Sequence, residues 1–163
     1  QKGVCVIFLG DGAMAEGIVY EALNIAKLWA LPLLLVVEHN KIAQSSNWKL
    51  EHCGPIDLKV KGFGIQTTIV DGSDVIKIRE ISVNIIDEIR SSFEPQCLVL
   101  DTFRLGPHSK GDDTRSDLEL IEAKEHDPLL KVFKGLSTLT KSKIDQECLD
   151  EIGRLLTDFK LHQ

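Results

Sequence analysis

Apolar positions along the chain fall into two kinds of segment. Short unbroken apolar runs predict strands buried on both faces. Longer stretches with an apolar residue every three or four positions predict helices. The run 4–9, VCVIFL, is of the first kind. The stretch 15–29 is of the second, with Ile18, Ala22, Ile25 and Trp29 at helical spacing. Pro32 ends that element, and 33–38 is a second buried strand. Residues 39–55 are polar and irregular, a long loop of the kind that usually carries function. A short helix over 56–60 and the turn Gly62-Phe63-Gly64 lead to a third strand, 66–70. Asp71-Gly72-Ser73-Asp74 predicts a turn and a helix N-cap, and Val75, Ile78, Ile85, Ile89 and Phe93 mark the helix that follows. Pro95 precedes a fourth strand over 97–102, and a second long loop, rich in Gly, Pro, Lys and Asp, covers 104–115. The remainder predicts helices over 117–125, 129–134 and 144–159, the last with Ile144, Cys148, Ile152, Leu155 and Phe159 on one stripe.

Strands alternating with helices imply an α/β fold, an open parallel sheet with helices on both faces, followed here by a helical C-terminal segment. The expected division is 1–135 for the sheet-bearing part and 136–163 for the C-terminal helix. A fully apolar strand is normally central in such a sheet. The run 4–9 is therefore expected to be central and buried, its missing flank lost from this chain or shared with another. The helix over 15–29 is apolar around much of its circumference, more than one sheet face requires. Both features predict a chain that does not act alone. Ligands bind at the carboxyl ends of parallel strands. Three unusual sequences fall there: Gly10-Asp11-Gly12, His39-Asn40 and the loop from Arg104 to Ser109.

Composition narrows the classes. The chain has 163 residues, 43% hydrophobic and 27% charged, with 19 basic against 25 acidic residues for a net charge of −6. A general nucleic-acid binder or a basic membrane-surface protein needs a cationic face, so neither nucleic acid nor membrane is an expected partner. The longest strongly apolar run, 29–37, is too short to span a bilayer. No signal or transit peptide is expected, since Gln1-Lys2-Gly3 leads straight into the first strand. Cys5, Cys53, Cys97 and Cys148 form no CxxC pair, and Cys5 and Cys97 sit in strand candidates where buried thiols are common. The expectation is a reduced, cytoplasmic protein, or one of the mitochondrial matrix in a eukaryote, without a zinc site.

An Asp-Gly turn is common, but here it joins a buried strand to a helix, where glycines let backbone approach a phosphate at the helix N-terminus. An acidic side chain beside a phosphate is repelled unless a cation lies between them. Asp11 thus suggests a divalent metal. Asn40, separated from Gly12 by the 27 residues 13–39, adds an amide oxygen at the end of the next strand. One carboxylate, one amide, a backbone carbonyl, phosphate and water suit Mg²⁺ or Ca²⁺. On spacing alone, Asp11 as a helix cap and Asn40 as a turn residue stays open.

GDG followed by 27 residues and Asn is similar to the thiamine-diphosphate motif of the transketolase and 2-oxo acid dehydrogenase superfamily. The stretch GDGAMAEGIVYEALNIAKLWALPLLLVVEHNKIAQSS resembles the alpha subunit of the decarboxylating component of 2-oxo acid dehydrogenase complexes, of pyruvate, branched-chain and acetoin types. The resemblance continues through GFGIQTTIVDGSDV, TFRLGPHSKGDDTR and EHDPL, over about residues 3–135. It implies a thiamine-diphosphate-binding fold and an enzyme that decarboxylates a 2-oxo acid and passes the acyl group to a lipoyl carrier. The implied cofactors are thiamine diphosphate and Mg²⁺. The implied partners are a beta-type subunit or beta-like half, which supplies the glutamate that activates the aminopyrimidine, and a lipoyl-bearing acyltransferase. Asp11, Asn40 and the backbone carbonyl of Ile42 fall on the metal ligands. Gly10, Gly12 and Ala13 fall where backbone meets the diphosphate. Arg104 falls on the arginine of the loop that closes over the cofactor, and His108 on its diphosphate-contacting, catalytic histidine. Many members have a second histidine two residues before the latter, where this chain has Gly106.

Other residues have plainer readings. His39 reads as a loop residue, and His52, His126 and His162 as solvated. Glu16 and Glu21 lie where a helix N-terminus favours acids. The stripe Ile18, Ala22, Ile25 and Trp29 reads as core or subunit interface. The stretch 110–115 reads as a solvated loop, or as an ion-pair cluster that orders on cofactor binding. A split transketolase-like enzyme and a non-catalytic assembly module that keeps the fold are the alternative functions.

Overall fold

In the computed structural model, which describes residues 3–109, 111 and 113–161, the chain divides into two compact units, Gln1–Pro128 and Leu129–Gln163. Among the described residues six strands lie in the first: β1 (Cys5–Gly10), β2 (Leu33–His39), β3 (Ile42–Ala43), β4 (Ser46–Asn47), β5 (Gln66–Asp71) and β6 (Gln96–Asp101). The helices are α1 (Gly17–Leu28), α2 (Ile56–Lys61), α3 (Val75–Ser92), α4 (Asp117–Glu125), α5 (Pro128–Lys134) and α6 (Thr138–Leu161). Four strands form one parallel sheet in the order β1-β2-β6-β5, and β3 and β4 form a small antiparallel hairpin.

The two central strands are apolar through Leu33–Val37 and Cys97–Leu100 because both faces are covered. In β2, Leu35 and Val37 face a core that includes Leu23 of α1 and Ile56 and Val60 of α2. Leu34 and Val36 face the opposite core with Ile85 and Ile89 of α3. In β6, Cys97 and Val99 share the first core, and Leu98 the second. Period-two alternation thus feeds two layers from one strand, as parallel sheets require. Burial pushes the Cys97 thiol up to about 12, so it is an inert filler of the core. Helix α3 starts where the Asp74 carboxylate accepts the Lys77 amide at 3.0 Å, and ends at Phe93 in a left-handed conformation with φ +59°. Gly72 is obligatory: a Cβ there would lie 2.3 Å from the Thr102 methyl and 2.9 Å from the Asp101 carbonyl oxygen.

Several expectations change. β1 is an edge strand and largely exposed, with Phe8 64% accessible, because only β2 pairs with it among the described residues. Cys5 is accordingly exposed. The helix expected over 15–29 is broken at its start: a 3-10 turn, Ala13–Ala15, precedes α1. The face of α1 on the core is Val19, Leu23 and Ala26. Ile18, Ala22, Ile25 and Trp29 form the outer face instead. In a helix apolar nearly all round, periodicity does not choose the inner stripe. Phe93 and Val75 mark the rims of α3, and only Ile85 and Ile89 of the expected stripe are fully buried. In the second unit the α6 residues Ile144, Ile152, Leu155 and Phe159 are exposed. No helix among the described residues is long and apolar enough to cross a membrane.

Ile89→Ala empties a fully buried position and is expected to destabilise the chain by about 2–5 kcal/mol in urea unfolding. Ile18→Ser, on the outer face of α1, is expected to change it by no more than about 0.5 kcal/mol. Equal losses would place both residues in the core.

Candidate functional site

β1 delivers the chain to Asp11, the most deeply buried charged group described, 2% exposed. Its carboxylate is satisfied by the next strand and by its own turn. Past the end of β2, Lys41 adopts φ +68°, a left-handed conformation that costs an ordinary residue about 1–2 kcal/mol. Its N–H donates to Asp11 Oδ2 at 2.6 Å. His39 Nδ1 lies 3.0 Å from the same oxygen and, since a carboxylate only accepts, carries the hydrogen. The Gly12 amide donates to Oδ1 at 2.9 Å. Burial pushes the Asp11 pKa up, but the bonds from His39 and Lys41, the field of His39 and the Gly12 amide together hold it below the ordinary carboxylate value. Asp11 is therefore anionic at neutral pH. A carboxylate offers about four lone-pair directions, so three bonds leave one, on Oδ1, for a cation.

Residues 39–52 form a strap over this turn. The hairpin pairs Ile42 with Asn47 and Ala43 with Ser46, and Gln44 takes a φ of +54° at its bend. A Cβ on Gly12 would lie 2.8 Å from the Ala43 methyl, so this glycine makes room for the strap. Asn40 Oδ1 accepts the Ile42 amide at 3.0 Å and keeps a second lone pair. From beyond β6, Arg104 Nη1 donates to the Gln44 carbonyl at 2.6 Å. Its Nε is buried without a partner among the described residues. The strap is also joined to the end of β6 by Lys41 Nζ, 2.7 Å from Asp101, and to the loop beyond it by the same ammonium, 5.6 Å from the Phe103 ring.

Between strap, turn and loop lies a cavity of about 500 Å³ at the carboxyl ends of the strands. Gly10, Asp11, Gly12, Ala13, Asn40, Ile42, Arg104 and His108 all line it, with Gln44, Ser45, Ser46 and Glu51. No group of three or more His, Cys, Asp or Glu side chains among the described residues could hold a metal by itself. What the cavity offers a cation is the carboxylate of Asp11, with that of Glu51 also on the wall, and neutral oxygens, the donor set of a hard ion completed by its ligand. What it offers an anion is Arg104, His108 and the 3-10 turn opening toward α1. These residues fit a diphosphate bridged to the protein by Mg²⁺.

Three side chains escaped the sequence. His52, expected in solvent, is buried, with Nε2 2.9 Å from the Asp11 carbonyl oxygen. His39 touches Asp11 instead of sitting idle in a loop. His126 stacks on Phe103 at 4.0 Å. A single histidine in a polar stretch has no periodicity to reveal its partners. Of the two readings of 110–115, a solvated loop or an ion-pair cluster, the structure has an ion pair: Arg115 is only 8% exposed. Its guanidinium grips Asp113 at 2.8 and 2.7 Å, donates to the Gly106 carbonyl at 3.0 Å and to that of Arg104. Of the expected cluster, Lys110 and Asp112 lie outside the described residues, as does His162.

The sequence was compared with known proteins. A family model described as "Dehydrogenase E1 component" matches residues 1–154. The chain is 33% identical over 153 residues to the pyruvate dehydrogenase E1 component subunit alpha of Zymomonas mobilis, covering 91% of this chain and 43% of that protein. It is 36% identical over 137 residues to the subunit of that name in Rickettsia conorii, covering 82% and 42%. It is 31% identical over 166 residues to the chloroplastic pyruvate dehydrogenase E1 component subunit alpha-3 of Oryza sativa, covering 96% and 39%. The chain thus spans less than half the length of these relatives.

The Arg115 bonds hold the Asp113 carboxyl down to about 2. A depressed carboxylate stabilises the folded form fully above its unfolded pKa of about 3.9, and that contribution is lost as pH falls through the folded value. The slowly exchanging Arg115 Nε–H signal in NMR is therefore expected to persist from pH 7 to about 4 and to collapse toward about 2. In Asp113→Asn it is expected to be weakened at every pH. A signal already lost near pH 5 would show that the pair does not clasp the loop.

Proposed function

The chain belongs to the dehydrogenase E1 component family, and on that premise we propose that it is the alpha-type, diphosphate-binding part of a thiamine-diphosphate-dependent 2-oxo acid dehydrogenase. Its substrate is a 2-oxo acid, and the acyl group goes to a lipoyl-bearing acyltransferase. The observation that carries this reading is the convergence of oxygen donors and cationic groups on one cavity at the strand ends.

When bound, thiamine diphosphate supplies the carbon nucleophile for decarboxylation. This chain's task is to hold and orient it. The Asp11 carboxylate, the Asn40 amide oxygen and the Ile42 carbonyl would hold Mg²⁺, whose charge offsets the repulsion between Asp11 and the diphosphate. Gly10, Gly12 and Ala13 would present backbone to the diphosphate. Arg104 and His108 would donate to its oxygens, His108 from an exposed position at the cavity mouth where it can approach or withdraw.

A glutamate on the aminopyrimidine would come from a beta-type subunit or beta-like half. The exposed apolar residues of β1 and the outer face of α1, among them Phe8, Ile18 and Trp29, support a chain that works against another protein surface.

Calorimetric titration with thiamine diphosphate, with and without Mg²⁺ and with a beta-type partner present, tests the reading. Asp11→Ala is expected to abolish Mg²⁺-dependent binding. Asn40→Ala is expected to weaken it by at least about tenfold with the fold intact, since even outer-shell partners of a metal are worth roughly 10–100-fold. Parent-like binding by either variant would refute the assignment. No metal-dependent binding by the parent would favour an assembly module.

A further inference from the structure

At the main chain of Asp11 sits a pair, buried His52 and half-buried Lys59, that the proposed chemistry does not use. His52 is 7% exposed, and its Nε2 lies 2.9 Å from the Asp11 main-chain oxygen. A carbonyl only accepts, so Nε2 carries the hydrogen. On the other side, Lys59 Nζ of α2 lies 2.9 Å from His52 Nδ1. An ammonium only donates, so Nδ1 is bare. The opposite tautomer would set N–H against ammonium and lone pair against carbonyl, turning two bonds into two repulsions. The tautomer is thus written into the partners.

The neighbours leave the ring little freedom. The His52 amide donates to the Trp48 carbonyl at 3.0 Å, and the Trp48 indole neighbours both His52 and His39, with ring centres 6.0 and 4.9 Å apart. Lys59 Nζ lies 5.9 Å from the ring of Tyr20, whose hydroxyl donates to the Met14 carbonyl at 2.7 Å. The Asp11 oxygen also accepts the Met14 amide at 3.0 Å. The turn therefore closes without His52, and what the imidazole adds is the orientation of the Asp11 peptide.

We propose that His52, its hydrogen fixed on Nε2 by Lys59, is a positioning residue that pins the Asp11 carbonyl and so aims the Asp11 carboxylate at the cavity. The same residue is then held from both ends, at its main chain by His52 and at its side chain by His39 and Lys41. The proposal rests on the reading of the cavity as a metal-and-diphosphate site.

The test combines a spectroscopic measurement on the full 163-residue chain with a binding measurement made with a beta-type partner present. Histidine ¹⁵N NMR is expected to show His52 with a protonated Nε2 and a bare Nδ1, and Lys59→Met to mix the tautomers. The Gly12 amide resonance, beside the pinned carbonyl, is expected to move in Lys59→Met and in His52→Phe. Binding of thiamine diphosphate with Mg²⁺ is expected to weaken about 10–100-fold in His52→Phe, and to recover to within about threefold of the parent in His52→Gln, whose amide can still donate to Asp11. If His52→Phe does not fold, Lys59→Met, which leaves the ring in place, carries the binding arm with the same direction of change. An Nδ1–H tautomer, an unmoved Gly12 resonance, or equal affinity in the parent and the folded variants would overturn the proposal. Should the parent itself not bind, the reading of the cavity fails. The tautomer and the Gly12 resonance, which need no cofactor, then still decide whether His52 positions the turn.

Discussion

Taking a carboxylate out of water costs several kcal/mol unless its oxygens are bonded and its charge is met. Asp11 is such a group, and much of the site can be read as the means of meeting that cost. Its oxygens take hydrogen bonds from His39, Lys41 and Gly12. To provide them, Lys41 accepts a left-handed backbone, and the strap folds down until Ala43 occupies the space a side chain on Gly12 would need. The arrangement leaves the charge in place and one lone pair open to the cavity. A purely structural turn needs neither. Evolution of a stable Asp-Gly turn would not call for burying the charge it carries.

The sheet supplies the rigidity this needs. β2 is paired on both sides and covered on both faces, so His39 and the chain just beyond it are carried by the stiffest element of the fold. β6, its neighbour, carries Arg104 to the opposite wall. The parts that must adapt to a ligand, the hairpin bend and the loop beyond β6, lie one step farther from the core and are tied by side chains: Arg104 to Gln44 and Arg115 to Asp113. The rigid strand ends thus carry Asp11 and Asn40, and the tethered loop beyond β6 carries Arg104 and His108.

Much of this was legible in the sequence, for physical reasons that differ by element. β2 and β6 announce themselves because a strand buried on both faces has to be apolar throughout. The helix α3 is legible from Asp74 and its apolar period. The eight residues singled out from the GDG, His-Asn and Arg104–His108 segments meet at one cavity because parallel strands bring their carboxyl ends together whatever the loops do. The edge position of β1 was not legible: an apolar run looks the same at an edge as in the centre. Nor was the inner face of α1, where apolar residues surround the axis. His52 was misread as solvated because its partner, a main-chain carbonyl, leaves no pattern in composition or spacing, and for 110–115 the charges alone did not choose between a solvated loop and the Arg115–Asp113 pair that forms.

The central claim is that Asp11 is kept charged and aimed so that a metal can join it to a diphosphate. The most direct measurement is a crystal structure of the chain, with a beta-type partner if crystals require one, grown with thiamine diphosphate and Mg²⁺. The account predicts metal density touching the Asp11 carboxylate and the Asn40 amide oxygen, with the diphosphate on its far side. A fully occupied cofactor whose metal touches neither residue would contradict it.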